Sequence, residues 1–218
     1  MDGSGQLFSR FAKELAPFVS LKTVIYPATQ PMDYAQLLDF VLDRLPTEGN
    51  YAVLAESFSG PVGIELAARA PRGLKKLILC CTFARSPRRS LRCLLPLLPV
   101  LPLQAMPLSL AGRALMGRCF EPGLQAEFVG AMRQLSADVM RVRAKAVLAV
   151  DVLARLQAVK VPTLYLQASR DQIVPSSAAE LILAARSDVQ LHRIDGPHFL
   201  LQTNPVESAQ AVRRFLST

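Results

Sequence analysis

The chain is poor in the residues that build most metal and redox sites. Among 218 residues only two are histidines, His192 and His198, and the four cysteines, Cys80, Cys81, Cys93 and Cys119, have no paired metal-ligand spacing. No metal site is expected. Two of the cysteines are adjacent in the strand-like KKLILCCTFA, and without a disulfide-permissive context they read as reduced, buried thiols of a cytoplasmic protein. The first residues carry no basic stretch followed by an apolar segment and a small-residue cleavage site, so nothing signals export. Long apolar runs are lacking too. The most apolar piece, Leu94 to Leu103, is interrupted by Pro96, Pro99 and Pro102, which excludes a regular helix interior and leaves it too short to span a membrane. Acid is the scarcer charge, 17 residues against 25 basic ones, for a formal net charge of +8. No nucleic-acid module or aromatic-basic interleaving accompanies the arginines, so nucleic acid is not an expected partner.

What is present is a hydrophobic content of 51%, enough for one substantial core, and an alternation of strand and helix patterns. Residues 5 to 17 place Leu7, Phe8, Phe11, Leu15 and Phe18 at helical spacing, and Thr23 to Tyr26 reads as a short strand. Tyr34 to Leu45 reads as a helix with Leu37, Leu38, Val41 and Leu45 on its apolar face. Strands are expected at 51–56, 75–83, 162–168 and 189–194. One late helix is expected from Ser177, with Glu180 completing a capping box, and the last opens with Asn204, Pro205 and Glu207 as cap, first-turn proline and capping-box acid. Such alternation predicts an α/β fold with a mainly parallel sheet flanked by helices.

Three polar residues fall where these strands end. YAVLAE runs into Ser57-Phe58-Ser59 and then the helix-like GPVGIELAARA, the outline of a strand-turn-helix elbow that lifts one hydroxyl above a sheet edge. The usual pattern is GxSxG, with small residues two before and two after the nucleophile; here they are Ala55 and Ser59. A serine there is also an ordinary turn or cap residue. Asp171 lies just beyond PTLYLQA, and His198 just beyond VQLHRID; taken singly the first is a turn carboxylate, and the other histidine, His192, reads as a strand surface residue. Serine, then aspartate, then histidine, each after a strand, is the order of one particular nucleophilic architecture.

LAESFSG, QASRDQIVP and DGPHFLLQTNP resemble the nucleophile, acid and histidine motifs of the α/β-hydrolase superfamily, especially small esterases similar to the pimeloyl-ACP methyl ester carboxylesterases. The resemblance implies Ser57, Asp171 and His198 as catalytic triad, no cofactor, and an oxyanion site formed by the backbone N–H groups of Phe58 and Met1. Met1-Asp-Gly-Ser-Gly-Gln-Leu-Phe resembles the loop after the family's third strand, so the N-terminal strands of the family are absent from this chain. One of them belongs between the strands matching 22–27 and 51–56. Three outcomes are open: an upstream start that was missed, inward movement of the 22–27 strand, or an edge donated by a second chain, which makes a homodimer worth testing. A serine at position 57 argues against the dehalogenase and epoxide hydrolase branches, which use an aspartate there.

Residues 85–160 do not read as sheet, and the resemblance makes them a helical lid inserted into a core of residues 1–84 and 161–218. A stripe of Leu124, Phe128, Met132 and Leu135 would suit acyl chains or ordinary packing equally. This segment holds twelve basic residues against four acidic ones, an excess equal to the whole net charge. Such a surface suits an acidic acyl carrier protein, an anionic substrate or a phospholipid surface, and also a solvated face with no partner. Three functional classes follow: a carboxylesterase for small to medium acyl esters, an acyltransferase or thioesterase with the same triad, and a non-catalytic binding module.

Overall fold

The computed structural model describes residues 2–98 and 107–218. Among them, β1 (Tyr51–Glu56), β2 (Leu74–Cys80), β3 (Thr163–Ala168) and β4 (Gln190–Ile194) form a sheet in the order β1-β2-β3-β4, every neighbouring pair parallel. Strand alternation divides the core in two. Leu77, Leu79 and Tyr165 face a cluster with α2 (Tyr34–Leu42), α3 (Gly60–Ala68), α7 (Leu153–Ala158) and α8 (Ser176–Ala185). Ile78, Cys80, Leu164 and Leu166 face the opposite cluster, with α1 (Ser9–Leu15) and α10 (Pro205–Ser217). The expected α/β architecture, a parallel sheet with helices on both faces, is the one observed.

Local details differ from the sequence reading. Thr23 to Tyr26 is extended but joins no sheet; the N–H of Tyr26 donates to Gly3 O at 2.8 Å. It does not move inward beside β1, which stands at the sheet edge with Ala52 exposed and Val53 and Leu54 half-buried. β2 ends at Cys80 rather than at 83, because Cys81 takes a left-handed conformation, φ +46°, that turns the chain out of the strand. Neither late capping box forms. α8 begins one residue early behind Pro175, which leaves Ser177 inside the helix, and Asn204 makes no side-chain cap, its amide donating instead to Asp195 O at 3.4 Å. A capping box does form at α2, where Asp33 Oδ1 accepts from Gln36 N and Gln36 Oε1 accepts from Asp33 N, each at 3.0 Å.

Between β2 and β3 lie a proline-bearing 3₁₀ stretch (Arg89–Leu97), α4 (Leu108–Met116), α5 (Pro122–Arg133), α6 (Ala137–Ala149) and α7. Prolines 99 and 102 of the apolar run lie outside the described residues, as does Met1. Leu124, Phe128, Met132 and Leu135 are all buried in one cluster with Met116, Val139 and Phe199, so the stripe is used in packing. Among the described residues no helix is long and apolar enough to cross a membrane. All four cysteines are free; Cys80 and Cys81 are buried as expected, whereas Cys93 is exposed and Cys119 half-buried.

Candidate active site

Parallel pairing brings the carboxyl ends of all four strands to one edge: Glu56 pairs with Cys80, Cys80 with Leu166, and Ala168 with Ile194. Ser57, Thr82, Asp171 and His198 follow directly after those ends, where open α/β sheets present their reactive loops. Ser57 has φ +50°, a left-handed conformation that costs a non-glycine residue about 1–3 kcal/mol and must be held by its surroundings. Holding it is the hydroxyl of Thr82, which donates to Ser57 O. Thr82 is in turn fixed by Tyr165, whose hydroxyl accepts from Thr82 N at 3.2 Å and donates to Thr82 O at 2.6 Å.

Two glycines make room for this turn. A Cβ on Gly60 would lie 1.9 Å from Thr82 Oγ1, and one on Gly63 would lie 2.7 Å from the Cβ of Ala55. The elbow thus tolerates Ala55 in place of glycine because α3 offers Gly63 against it. Ser59 is accommodated differently: its hydroxyl accepts a hydrogen bond from Tyr26 at 3.2 Å.

Ser57 Oγ lies 2.8 Å from His198 Nε2, and His198 Nδ1 lies 2.7 Å from Asp171 Oδ2. The histidine and aspartate side chains are 4% and 6% exposed, so this relay is shielded from bulk water. Asp171 Oδ1 accepts the N–H groups of Ile173 and Val174, both at 2.8 Å, which fixes the carboxylate plane. An ionised Asp171 can only accept, so the network assigns the proton of His198 to Nδ1 and leaves Nε2 to accept from the serine hydroxyl. The three residues expected from the sequence are therefore brought together in one chain of hydrogen bonds. Phe58 is buried, stacked on Tyr34 with ring centroids 5.0 Å apart, and sets its amide in the turn after Ser57, at the start of the helical segment leading into α3. The other expected oxyanion donor, Met1, lies outside the described residues. His192 is half-buried on β4, away from this edge.

Sequence reasoning missed the residues that support the site. Asp195 accepts from Ser169 Oγ at 2.7 Å and pairs with Arg170 at 2.6 Å, tying the histidine loop to the acid loop; the Ser169 hydrogen bond, with the Arg170 charge, holds the Asp195 carboxyl below the usual range. Their pairing follows from the register that sets Ala168 beside Ile194, which the sequence alone does not show. Thr82 and Tyr165 carried no signal either, since only the turn at Cys81 aims the one at the other.

The family model described as serine aminopeptidase, S33, matches residues 29–201, a span that holds the elbow, the acid and the histidine. The chain belongs to that family. Its fold is that of the α/β-hydrolases, and in the general sense it is a hydrolase. Among curated proteins no sequence relative matches it. Solved structures with this fold include an enol-lactonase from Burkholderia xenovorans, 16% identical with a TM-score of 0.84 over 100% of this chain and 88% of its own. An esterase from Exiguobacterium antarcticum is 17% identical with a TM-score of 0.82 over 99% of this chain and 88% of its own. A hydrolase from Pseudomonas aeruginosa is 25% identical with a TM-score of 0.70 over 87% of this chain and 74% of its own.

Proposed function

We propose that this S33 family member is a serine carboxylesterase acting on esters of small to medium acyl chains by two-step acyl transfer. The observation that carries the reading is the unbroken, shielded relay from Ser57 through His198 to Asp171. His198 Nε2 takes the Ser57 proton as Oγ attacks the ester carbonyl, and Asp171 steadies the imidazolium that forms. The Phe58 N–H stabilises the oxyanion at the start of α3. Collapse of this intermediate expels the alcohol, protonated by His198; water, deprotonated by the same histidine, then releases the acid and restores Ser57.

A cleft of about 340 Å³ lies between the N-terminal segment and α5, lined by Asp2, Gln6, Tyr26, Ala131 and Leu135, and neither Ser57 nor His198 lines it. It adjoins the elbow through Tyr26, and its volume is at the low end for ligand sites. Arg88, Arg89 and Arg92 are exposed, and Arg88 reaches Gln172 O at 3.4 Å, beside the acid loop, which supports recognition of an acidic carrier or anionic substrate near the site.

The test is a p-nitrophenyl ester series from acetate to decanoate, with aminoacyl p-nitroanilides alongside, on the wild type and Ser57→Ala. The reading expects ester turnover that falls with long chains and vanishes with Ser57. Turnover of the anilides alone would replace the esterase with a peptidase, and added alcohol or thiol acceptors would expose acyl transfer in the products.

A further inference from the structure

Glu56 is the last residue of β1 and immediately precedes Ser57, yet the relay makes no use of it. Its Oε2 accepts a hydrogen bond from Gln202 Nε2 at 3.2 Å, while its Oε1 is buried without a hydrogen-bond partner. Gln202 belongs to α9 (Leu200–Thr203), four residues after His198; it is 2% exposed, and its Oε1 is also buried without a partner. One bond thus joins a carboxyl group and a carboxamide, and one oxygen on each is left over. Two acceptors cannot satisfy each other, and a buried acceptor without a donor is costly. A single proton on Glu56 resolves both, its O–H donating to Gln202 Oε1 while Gln202 N–H donates to Oε2.

We propose that Glu56 is a positioning residue, held as a neutral carboxylic acid in a two-bond pair with Gln202, which ties the strand before Ser57 to the helix after His198. Ionisation of Glu56 breaks one of the two bonds and loosens the alignment of Ser57 with His198, so that reactivity falls as the solution becomes alkaline.

The surroundings agree. Burial raises the Glu56 carboxyl from 4.5 to about 7, opposed by the Gln202 hydrogen bond and helped by the negative charges of Asp2 and Asp171. Cys80, paired with Glu56 in the sheet, is kept neutral by its own burial and supplies no countercharge. The effect on reactivity rests on Ser57 being the nucleophile; the acid–amide pair does not.

The experiment combines the pH dependence of fluorophosphonate labelling at Ser57 with a carbon-13 titration of the glutamate carboxyls, in the wild type and Glu56→Gln. A histidine that must be neutral makes labelling rise with pH, whereas Glu56 makes it fall, so the two limbs differ in sign. The amide of E56Q can form both bonds at every pH. The expected result is a wild-type rate that falls several-fold above about pH 7, an E56Q rate without that falling limb, and a Glu56 signal still protonated near pH 6. A falling limb unchanged in E56Q, or a Glu56 carboxyl that titrates near its ordinary value, overturns the proposal. Should E56Q not fold, Gln202→Leu serves: a labelling rate lowered at least about threefold near pH 6 with KM unchanged is expected, and an unaltered rate overturns the tie. Absence of labelling at every pH together with a protonated Glu56 would remove the nucleophile reading and leave the pair standing.

Discussion

Asp171 shows how a single side chain sets the chemistry of another. Both of its oxygens are occupied, Oδ1 by two backbone amides and Oδ2 by His198, so its orientation is fixed before any substrate arrives. In Asp171→Asn an amide N–H aimed at the ring would favour the opposite tautomer, and kcat is expected to fall by about 10⁴-fold with little change in KM, as steady-state kinetics would show. Glu56 gives a second prediction, with a defined sign. Burial raises its folded-state value to about 7 from the ordinary 4.5, so its contribution to stability is fully present below about pH 4.5 and is lost as pH rises through about 7. Denaturant midpoints should therefore show E56Q gaining on the wild type between those limits, by an amount of order 3 kcal/mol, and equal pH dependence in the two proteins would refute the assignment. Of these residues, Ser57, Asp171 and His198 were legible because each follows a strand pattern. Gln202 and Thr82 were not, since their roles depend on which loops meet at the sheet edge.

At the scale of elements, the elbow depends on backbone approach more than on the serine's neighbours in sequence. Gly60→Ala would drive a methyl into Thr82, whose side chain is fully buried and cannot yield. It is expected to lower kcat at least about 10²-fold through displacement of Ser57, as steady-state kinetics on an ester substrate would show. The sequence pattern shows the limits of local propensity here. Thr23 to Tyr26 has the composition of a strand, but a strand exists only with a neighbour, and this segment finds Gly3 instead. The serine-glutamate spacing at 177 and 180 looks like a capping box, yet the helix starts earlier because Pro175 already occupies the cap position. Strand β3 was readable because it is buried along its whole length and so reads as a continuous apolar run, whereas β1 and β4 were readable from the residue types and turns that bound them.

For the molecule as a whole, the helices between β2 and β3 are joined to the rest of the fold by specific contacts and not merely laid over it. Phe128 of α5 meets Phe199 edge to face at 5.6 Å, next to His198. Arg143 of α6 is 1% exposed, donates to Asp2 O at 2.9 Å and Pro27 O at 3.0 Å, and lies 5.8 Å from the ring centres of both Tyr26 and Phe58; burial lowers its guanidinium from the ordinary value. Arg143→Ala is expected to cost about 2–4 kcal/mol of stability, seen as a lowered Tm, because it removes the donors of two half-buried carbonyls and empties the space beside the elbow. The basic excess of residues 85–160 was legible from composition; its distribution was not, because Arg85, Arg141 and Arg155 turn to acidic partners while Arg88, Arg89 and Arg92 remain on the surface, Arg88 beside the acid loop. If the relay is functional, the molecule presents one activated serine, Ser57, at the carboxyl edge of its sheet. Fluorophosphonate labelling of the wild type, with the modified peptide identified by mass, tests it most directly. The account predicts one adduct, on Ser57, abolished in Ser57→Ala and strongly slowed in His198→Ala; a folded protein that takes no label, or takes it on another residue, would contradict it.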